Sequence, residues 1–441
     1  MGRKPLDVEK FVFELINTDD AAQKKEIGKR ILDLAYKKDI YPASIHELYM
    51  AMGKGEVSGF TVPAINLRAM TYDLARAIFR VAKRNQSGAF IFEIAKSEMG
   101  YTAQPPIEYV SVVLAAAIKE SYSGPVFIQA DHTQAKAKNY KENPEKELDA
   151  LKAVIADAVE AGFYNIDIDT STLVDLSKND LNKQQFDNYD ACAKLTQFIR
   201  QIQPRGVEVS VGGEIGEVGT KNSTVEDLDA FMTGFNNRLR KGRTGISKIS
   251  VQTGTSHGGV VLPNGQVAQV KLDFDTLKVI SETARKKYGM AGAVQHGAST
   301  LPAELFHKFP EVGTAEVHLA TEFQNMIYES KHFPADLKAK IYEWLKVNAT
   351  AEKKEGDSEE QFFYKARKKA LGPFKKEIMG LAQSIRDAIA AEVETKFEFL
   401  FKQLNAVNNY DIVKKYVTLK RVIWRKREEK AAVIHDGEGA D

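Results

Sequence analysis

Eight short runs rich in apolar and β-branched residues recur along the middle of the chain. They are FTVPAIN (60–66), AFIFEIA (89–95), VFIQADH (126–132), NIDIDTS (165–171), VEVSVGGEIG (207–216), KISVQTGTS (248–256), GAVQHGAS (292–299) and TAEVHLAT (314–321). Helical patterns such as TYDLARAIFRVAKRN, IEYVSVVLAAAIKESY and FDTLKVISETARKKYG separate most of them. The seventh connection, TLPAELFHKFPEV, has room for two turns at most. Strands that alternate with helices run parallel, and eight such units close into a (β/α)8 TIM barrel of the α/β class. An open doubly wound sheet is the competing layout. No Gly-x-Gly-x-x-Gly follows the first run, which weakens that option.

The flanks read differently. The predicted organisation is an N-terminal helical segment over 1–55, a catalytic barrel over 56–334 and a C-terminal helical extension over 335–441. The extension is helix-rich and charged. It reads as a subunit-packing element and predicts a homodimer or homotetramer. EKKEGDSEEQ (352–361) reads as a link or loop, and Ser223 with Glu226 reads as a capping box opening the helix after the fifth run. There is no internal repeat beyond the β–α period.

Composition narrows the classes. A formal net charge of +2 in 441 residues argues against a dedicated nucleic-acid or membrane-surface protein. No apolar run reaches the roughly 18 residues that a membrane span needs. The N-terminal MGRKPLDVEK has no apolar signal core. The single cysteine, Cys192, excludes an intramolecular disulfide framework and a cysteine metal cluster, and it fits a reducing, cytoplasmic setting.

In NIDIDTS, Ile166 and Ile168 share one face while Asp167 and Asp169 share the other. The outer face of a barrel meets helices and must be apolar, so the aspartates point inward. Buried acids are costly unless they pair or bind something, so the barrel mouth is expected to be polar.

Three of the eight histidines stand at or near the C-terminal ends of predicted strands: His132, His257 and His296. Barrel active sites occupy that rim. Taken singly, each histidine reads as a hydrogen-bonded core residue. Three at one pole read instead as a ligand set, because three imidazoles with an open position are a common zinc arrangement. GTSHGG (254–259) and QHGAS (295–299) follow the histidine with glycine, which lets backbone N–H groups approach an anion. In FIQADHTQ (127–134), Asp131 and His132 are adjacent, so a regular strand would point them to opposite faces. Both reach one site only if the strand pairing lets go there, and the strand is predicted to end at this pair.

These residues carry a family resemblance. From about Phe60 to Gln324, the motifs ADH, GGEIGEVG, GTSHGG, LDFDTL, QHGAST and EVHLATEF stand in the order and spacing of the class II, metal-dependent fructose-bisphosphate and ketose-bisphosphate aldolases. The chain resembles that family. The resemblance implies that His132, His257 and His296 are ligands of a catalytic zinc ion, with Glu214 an alternative ligand. It implies that Asp131 is the catalytic acid/base, and that Gly258, Gly297, Ser299 and Thr321 belong to the phosphate site. Backbone groups of Gly258 and Gly297 would also match a monovalent-cation site. Another divalent metal is compatible with the same histidines.

The resemblance implies reversible cleavage of a phosphorylated ketose. Fructose 1,6-bisphosphate would give dihydroxyacetone phosphate and glyceraldehyde 3-phosphate. The sequence departs from the family at several places. The loop after the fifth run reads EVGTKNSTVEDL; its nearby acids are Glu217 and Glu226, neither in the family's exact place, and Glu217 is taken as the counterpart of the family's mobile catalytic glutamate. His318 stands where the family has a substrate-contacting asparagine, and it is assigned to the substrate or its phosphate. Ala320 stands where some members have aspartate, as in the tagatose-type relatives. Ser97 is the nearest counterpart to a serine expected after the second run. An aldolase for tagatose 1,6-bisphosphate or another ketose 1-phosphate is therefore the first alternative. A non-catalytic, aldolase-like partner subunit is the second. A metal-dependent hydrolase is disfavoured, because FTVPAIN lacks the His-x-His that commonly opens such barrels.

Overall fold

The computed structural model describes residues 7–216, 221–254 and 272–422. The eight runs become eight parallel strands of one closed sheet: β2 (Val62–Asn66), β3 (Ile91–Ala95), β4 (Gly124–Gln134), β5 (Asn165–Asp169), β6 (Ser210–Glu214), β7 (Lys248–Val251), β8 (Ala293–Gln295) and β9 (Glu316–Leu319). Each pairs with its sequence neighbour, and closure comes from β9 pairing with β2, with Val62 opposite Glu316. The chain is thus a (β/α)8 barrel with helices at both ends.

A ninth strand was not expected. β1 (Ile40–Ala43) lies in the segment read as helical, and it pairs with the start of β4, Ile40 opposite Gly124 and Ala43 opposite Phe127. β4 is long enough to serve two partners, β1 first and then β5 from Gln129 onward. Asn165, at the head of β5, joins the two. Its side-chain amide donates to Ala43 O (3.2 Å) and Ile128 O (3.0 Å), and its Oδ1 accepts from Ile45 N (2.9 Å). A buried asparagine so completes the hydrogen bonds that a missing strand residue would leave open.

The helix His46–Gly53 closes the N-terminal end of the barrel. It buries Leu48, Tyr49 and Met52, and the Tyr49 hydroxyl reaches through to Glu316 on β9. Gly53 is required at its end, because a Cβ there would lie 2.0 Å from Gly289 O. The C-terminal helix Tyr410–Tyr416 packs beside this closure, and Asn409 Oδ1 accepts from Gly88 N (2.7 Å) and Ala89 N (3.1 Å) before β3.

The core lies between the strands and the surrounding helices. Phe79, Phe90, Phe92 and Tyr122 form one aromatic cluster, with the Phe79 and Tyr122 centroids 4.8 Å apart. Such pairs are worth roughly 0.5–1.5 kcal/mol each beyond area burial. The extension belongs to the same packed body. Its long helix Gln383–Gln403 lies on the helix Thr71–Arg84, with buried Arg386 gripping Asp73 at 2.8 and 2.9 Å. Arg80 and Arg84 meet Glu394, both at 2.6 Å.

Two local expectations shift. The capping box lies one residue later, at Thr224 and Asp227, because Ser223 Oγ is spent on Ile215 O and Gln252 N. The expected link at 352–361 shortens, since a helix begins at Glu359, capped by Ser358.

Candidate active site at the barrel mouth

Strand alternation sorts the barrel interior. Ile166 and Ile168 of β5 join the outer core, and Asp167 and Asp169 point inward as expected. The same alternation sends Glu93, Gln129, Lys248, Glu316 and His318 inside, so the middle of this barrel is a charged layer rather than an aliphatic one. Lys248, only 1% exposed, donates to Gln129 Oε1 (2.7 Å), to Asp167 Oδ2 (3.0 Å) and to Glu316. Gln129 Nε2 donates to Glu316 Oε1 (2.8 Å) and Glu93 Oε2 (3.1 Å). A buried ammonium among carboxylates persists only with such a full set of partners. Burial opposes its charge, but Asp167 and Glu316 outweigh that and raise its pKa. Gly212 on β6 makes room for the layer, since a Cβ there would sit 2.4 Å from Asp167 Oδ1 and 3.0 Å from Lys248 Cε.

Above this layer β4 bulges. Ala130 pairs with Ile166 and Thr133 with Ile168, so two residues of β4 face one of β5. The extra residue is His132, at φ 39°, a left-handed conformation that costs a non-glycine residue roughly 1–2 kcal/mol. The strand does not end at Asp131–His132, as expected; it slips one register step there and resumes to Gln134. The slip turns both side chains into the barrel.

His132 and His296 then meet across the mouth, His132 Nε2 2.7 Å from His296 Nδ1. The other nitrogen of His296 contacts Ser250 Oγ (2.9 Å). Nδ1 of His132 faces Asp169 Oδ2 (3.4 Å) and Glu214 Oε2 (3.8 Å). Asp131 Oδ1 lies 3.9 Å from His132 Nε2 and 3.2 Å from His318 Nδ1. Burial would lower the pKa of His132, but Asp131, Asp169 and Glu214 outweigh it and hold the value well above the usual histidine range. For Asp131 burial acts upward, and the imidazoles of His132, His318 and His296 reverse it, leaving the carboxyl well below its ordinary pKa.

Donor atoms of Asp131, His132 and His296 lie within 4.8 Å of one another, as do those of His132, Asp169 and Glu214. Two imidazoles ringed by carboxylates, with Asp131 Oδ1 buried and without a hydrogen bond, are a fitting donor set for a divalent cation. Asp169 was seen in the sequence only as an inward acid. Its place beside His132 is decided by the bulge.

Of the residues expected to receive phosphate, Gly297, Ser299 and Thr321 lie on the neighbouring rim. Gly297 takes φ 65°, which favours glycine directly after His296. Ser299 Oγ accepts from Glu322 N (3.4 Å), and Thr321 opens the helix Thr321–Glu329. Arg68, just past β2, was not singled out from the sequence. Its Nε donates to Glu98 Oε1 (2.6 Å), and its Nη1 lies 3.5 Å from Thr321 Oγ1. His318 sits below the rim, 4% exposed, among carboxylates. Glu217, His257 and Gly258 lie outside the described residues. Ser97 is half-buried in the short helix Lys96–Tyr101.

Fold and site define a (β/α)8 barrel whose imidazoles and carboxylates converge at the pole where such barrels do chemistry. Residues 48–403 match the fructose-bisphosphate aldolase class-II family, and the chain belongs to it. A curated relative named "Putative fructose-bisphosphate aldolase", from Coccidioides immitis (strain RS), is 27% identical over 272 residues, 60% of this chain and 76% of the relative. A solved structure titled as a probable tagatose 6 phosphate kinase from Sinorhizobium meliloti 1021 superposes with a TM-score of 0.53 at 17% identity, covering 80% of this chain and 93% of that one. The C. immitis structure titled as a putative fructose-1,6-biphosphate aldolase gives a TM-score of 0.48 at 18% identity, over 83% of this chain and 97% of that one. Among the described residues no helix is long and apolar enough to cross a membrane.

Proposed function

We propose that this protein is a zinc-dependent lyase that reversibly cleaves fructose 1,6-bisphosphate into dihydroxyacetone phosphate and glyceraldehyde 3-phosphate. The observation that carries this reading is the meeting of His132, His296 and Asp131, from opposite sides of the barrel, in a chain of the class II aldolase family. His132 and His296 would hold the ion, with His257 from the family motif and Glu214 in reserve. When bound there, the cation supplies Lewis-acid polarisation of the ketose carbonyl.

Asp131 takes the proton from the C4 hydroxyl. The C3–C4 bond breaks, the aldehyde forms at C4, and the bond's electron pair passes into an enediolate on the three-carbon half. Asp131 acts in its ionised form as the base. In condensation the same carboxyl returns the proton. Glu217 is our assignment for the group that protonates the enediolate carbon. Ser299 and Thr321, with backbone N–H groups of Gly258 and Gly297, would receive the phosphate on the three-carbon half, and a monovalent cation would sit on the same backbone. Ala320, the tagatose-type residue, favours tagatose 1,6-bisphosphate as the second reading. The single cysteine is buried, its thiol pushed up to about 12 by burial, and suits the cytoplasm.

The test is a cleavage assay on both bisphosphates, with protein stripped by EDTA and then reloaded with Zn²⁺. We expect activity to vanish on stripping and to return with zinc. Full activity in metal-free protein would sink the mechanism. Faster turnover of the tagatose isomer would move the substrate to the second reading.

A further inference from the structure

His318 lies between two buried carboxylates of different strands. Its Nδ1 is 3.2 Å from Asp131 Oδ1 on β4 and 3.2 Å from Glu93 Oε2 on β3. Neither contact is aligned as a hydrogen bond, so the ring nitrogen straddles the two oxygens and is committed to neither. The other nitrogen is firmly held, with Nε2 2.6 Å from Glu316 Oε1 and 3.6 Å from Asp167 Oδ2. Glu316 is in turn fixed by Lys248, Gln129 and Tyr49. The ring also lies against His296, centroids 4.1 Å apart. A side chain with these neighbours cannot swing to the rim to meet a phosphate.

We infer that His318 is a positioning residue for Asp131: it stands between Asp131 and Glu93, keeps the two carboxylates from repelling one another, and sets the Asp131 carboxylate at the place from which it works. This rests on the assignment of Asp131 as the acid/base. Two carboxylates facing one another in a low-dielectric interior repel strongly, and a ring anchored from below by Glu316 is a rigid spacer whose single Nδ1–H faces both oxygens. The residue thus acts through Asp131 and touches no reacting atom. Asparagine at this place would be shorter and would lose the anchor on Glu316, so Asp131 and Glu93 would face each other directly.

The experiment compares wild type, His318→Asn, Glu93→Gln and the double variant, each loaded with zinc and measured for kcat, KM and metal content. We expect His318→Asn to lower kcat about 10–100-fold, within the range for disturbing a general acid–base, with KM within about threefold and zinc content unchanged. Glu93→Gln in the His318→Asn background should recover most of that loss, because it removes the carboxylate that repels Asp131. A raised KM at unchanged kcat would make His318 a substrate contact, and lost zinc would make it a ligand; either overturns the inference, as does an unchanged kcat. If wild type cleaves no ketose phosphate, the functional reading fails instead. The inference is then read from crystal structures of wild type and His318→Asn, and an Asp131 carboxylate that keeps its place overturns it.

Discussion

His132 Nε2 and His296 Nδ1 stand 2.7 Å apart, although 164 positions separate them in the chain. One comes from β4 and the other from the loop just past β8, on opposite sides of the barrel. Their meeting needs the bulge at His132 and the glycine turn at Gly297. His132→Ala and His296→Ala should each lose bound divalent metal after gel filtration, read by elemental analysis, with the fold retained by circular dichroism. Wild-type zinc stoichiometry in both variants would remove these histidines from the ligand set.

Gly212→Ala adds one methyl to a layer with no room for it. The new Cβ would meet Asp167 Oδ1 at 2.4 Å and Lys248 Cε at 3.0 Å, and neither is free to move, since they pair with each other. Overpacking of this kind costs about 1–3 kcal/mol. Urea unfolding should show the loss, and an unchanged midpoint would mean the charged layer is softer than its contacts indicate.

Arg386→Ala should cost about 3–5 kcal/mol, because it leaves Asp73, 1% exposed, without its cation. Burial, with a smaller push from Asp387, raises the pKa of Asp73 even with the arginine in place. The double variant Asp73→Asn, Arg386→Met should recover much of the loss. If Arg386→Ala is as stable as wild type, the extension helix does not depend on this pair.

His46, in the helix that closes the barrel, is buried, and burial together with the Arg200 cation depresses its pKa from 6.5 to about 4. Above pH 6.5 neither folded nor unfolded chain binds this proton, and its contribution to stability is complete. As pH falls from 6.5 toward 4, the unfolded chain binds the proton and the folded chain does not, so stability declines. The full loss is about 3 kcal/mol, reached below pH 4. His46→Leu should flatten the stability curve over that window, measured by chemical denaturation at several pH values; an unaltered slope would assign the acid sensitivity elsewhere.

The barrel was legible because its evidence is local. Each strand-like run and each helical pattern carries its own period, and eight units in alternation leave few ways to close. The placement of His296 just past its strand follows from the same reading, whereas the strand expected to end at His132 runs on to Gln134, and NIDIDTS showed which face was inside. β1 was not legible. IYPA is four residues with a proline, embedded in helical sequence, and it becomes a strand only because the start of β4 offers an open edge. The bulge was not legible either, since a register slip is a relation between β4 and β5 and neither strand records it alone.

By itself, then, the sequence determined the order of the elements, the inward face of NIDIDTS and which residue types stand at the mouth. Only the tertiary structure decided their partners. Lys248, Glu316 and Glu93 drew no reading from the sequence and His318 was assigned to the substrate or its phosphate, yet the four form one network because closure brings β3, β4, β7 and β9 within hydrogen-bond reach of the same interior. Periodicity is written along the chain, whereas pairing across a barrel depends on strand register and twist that no single segment contains.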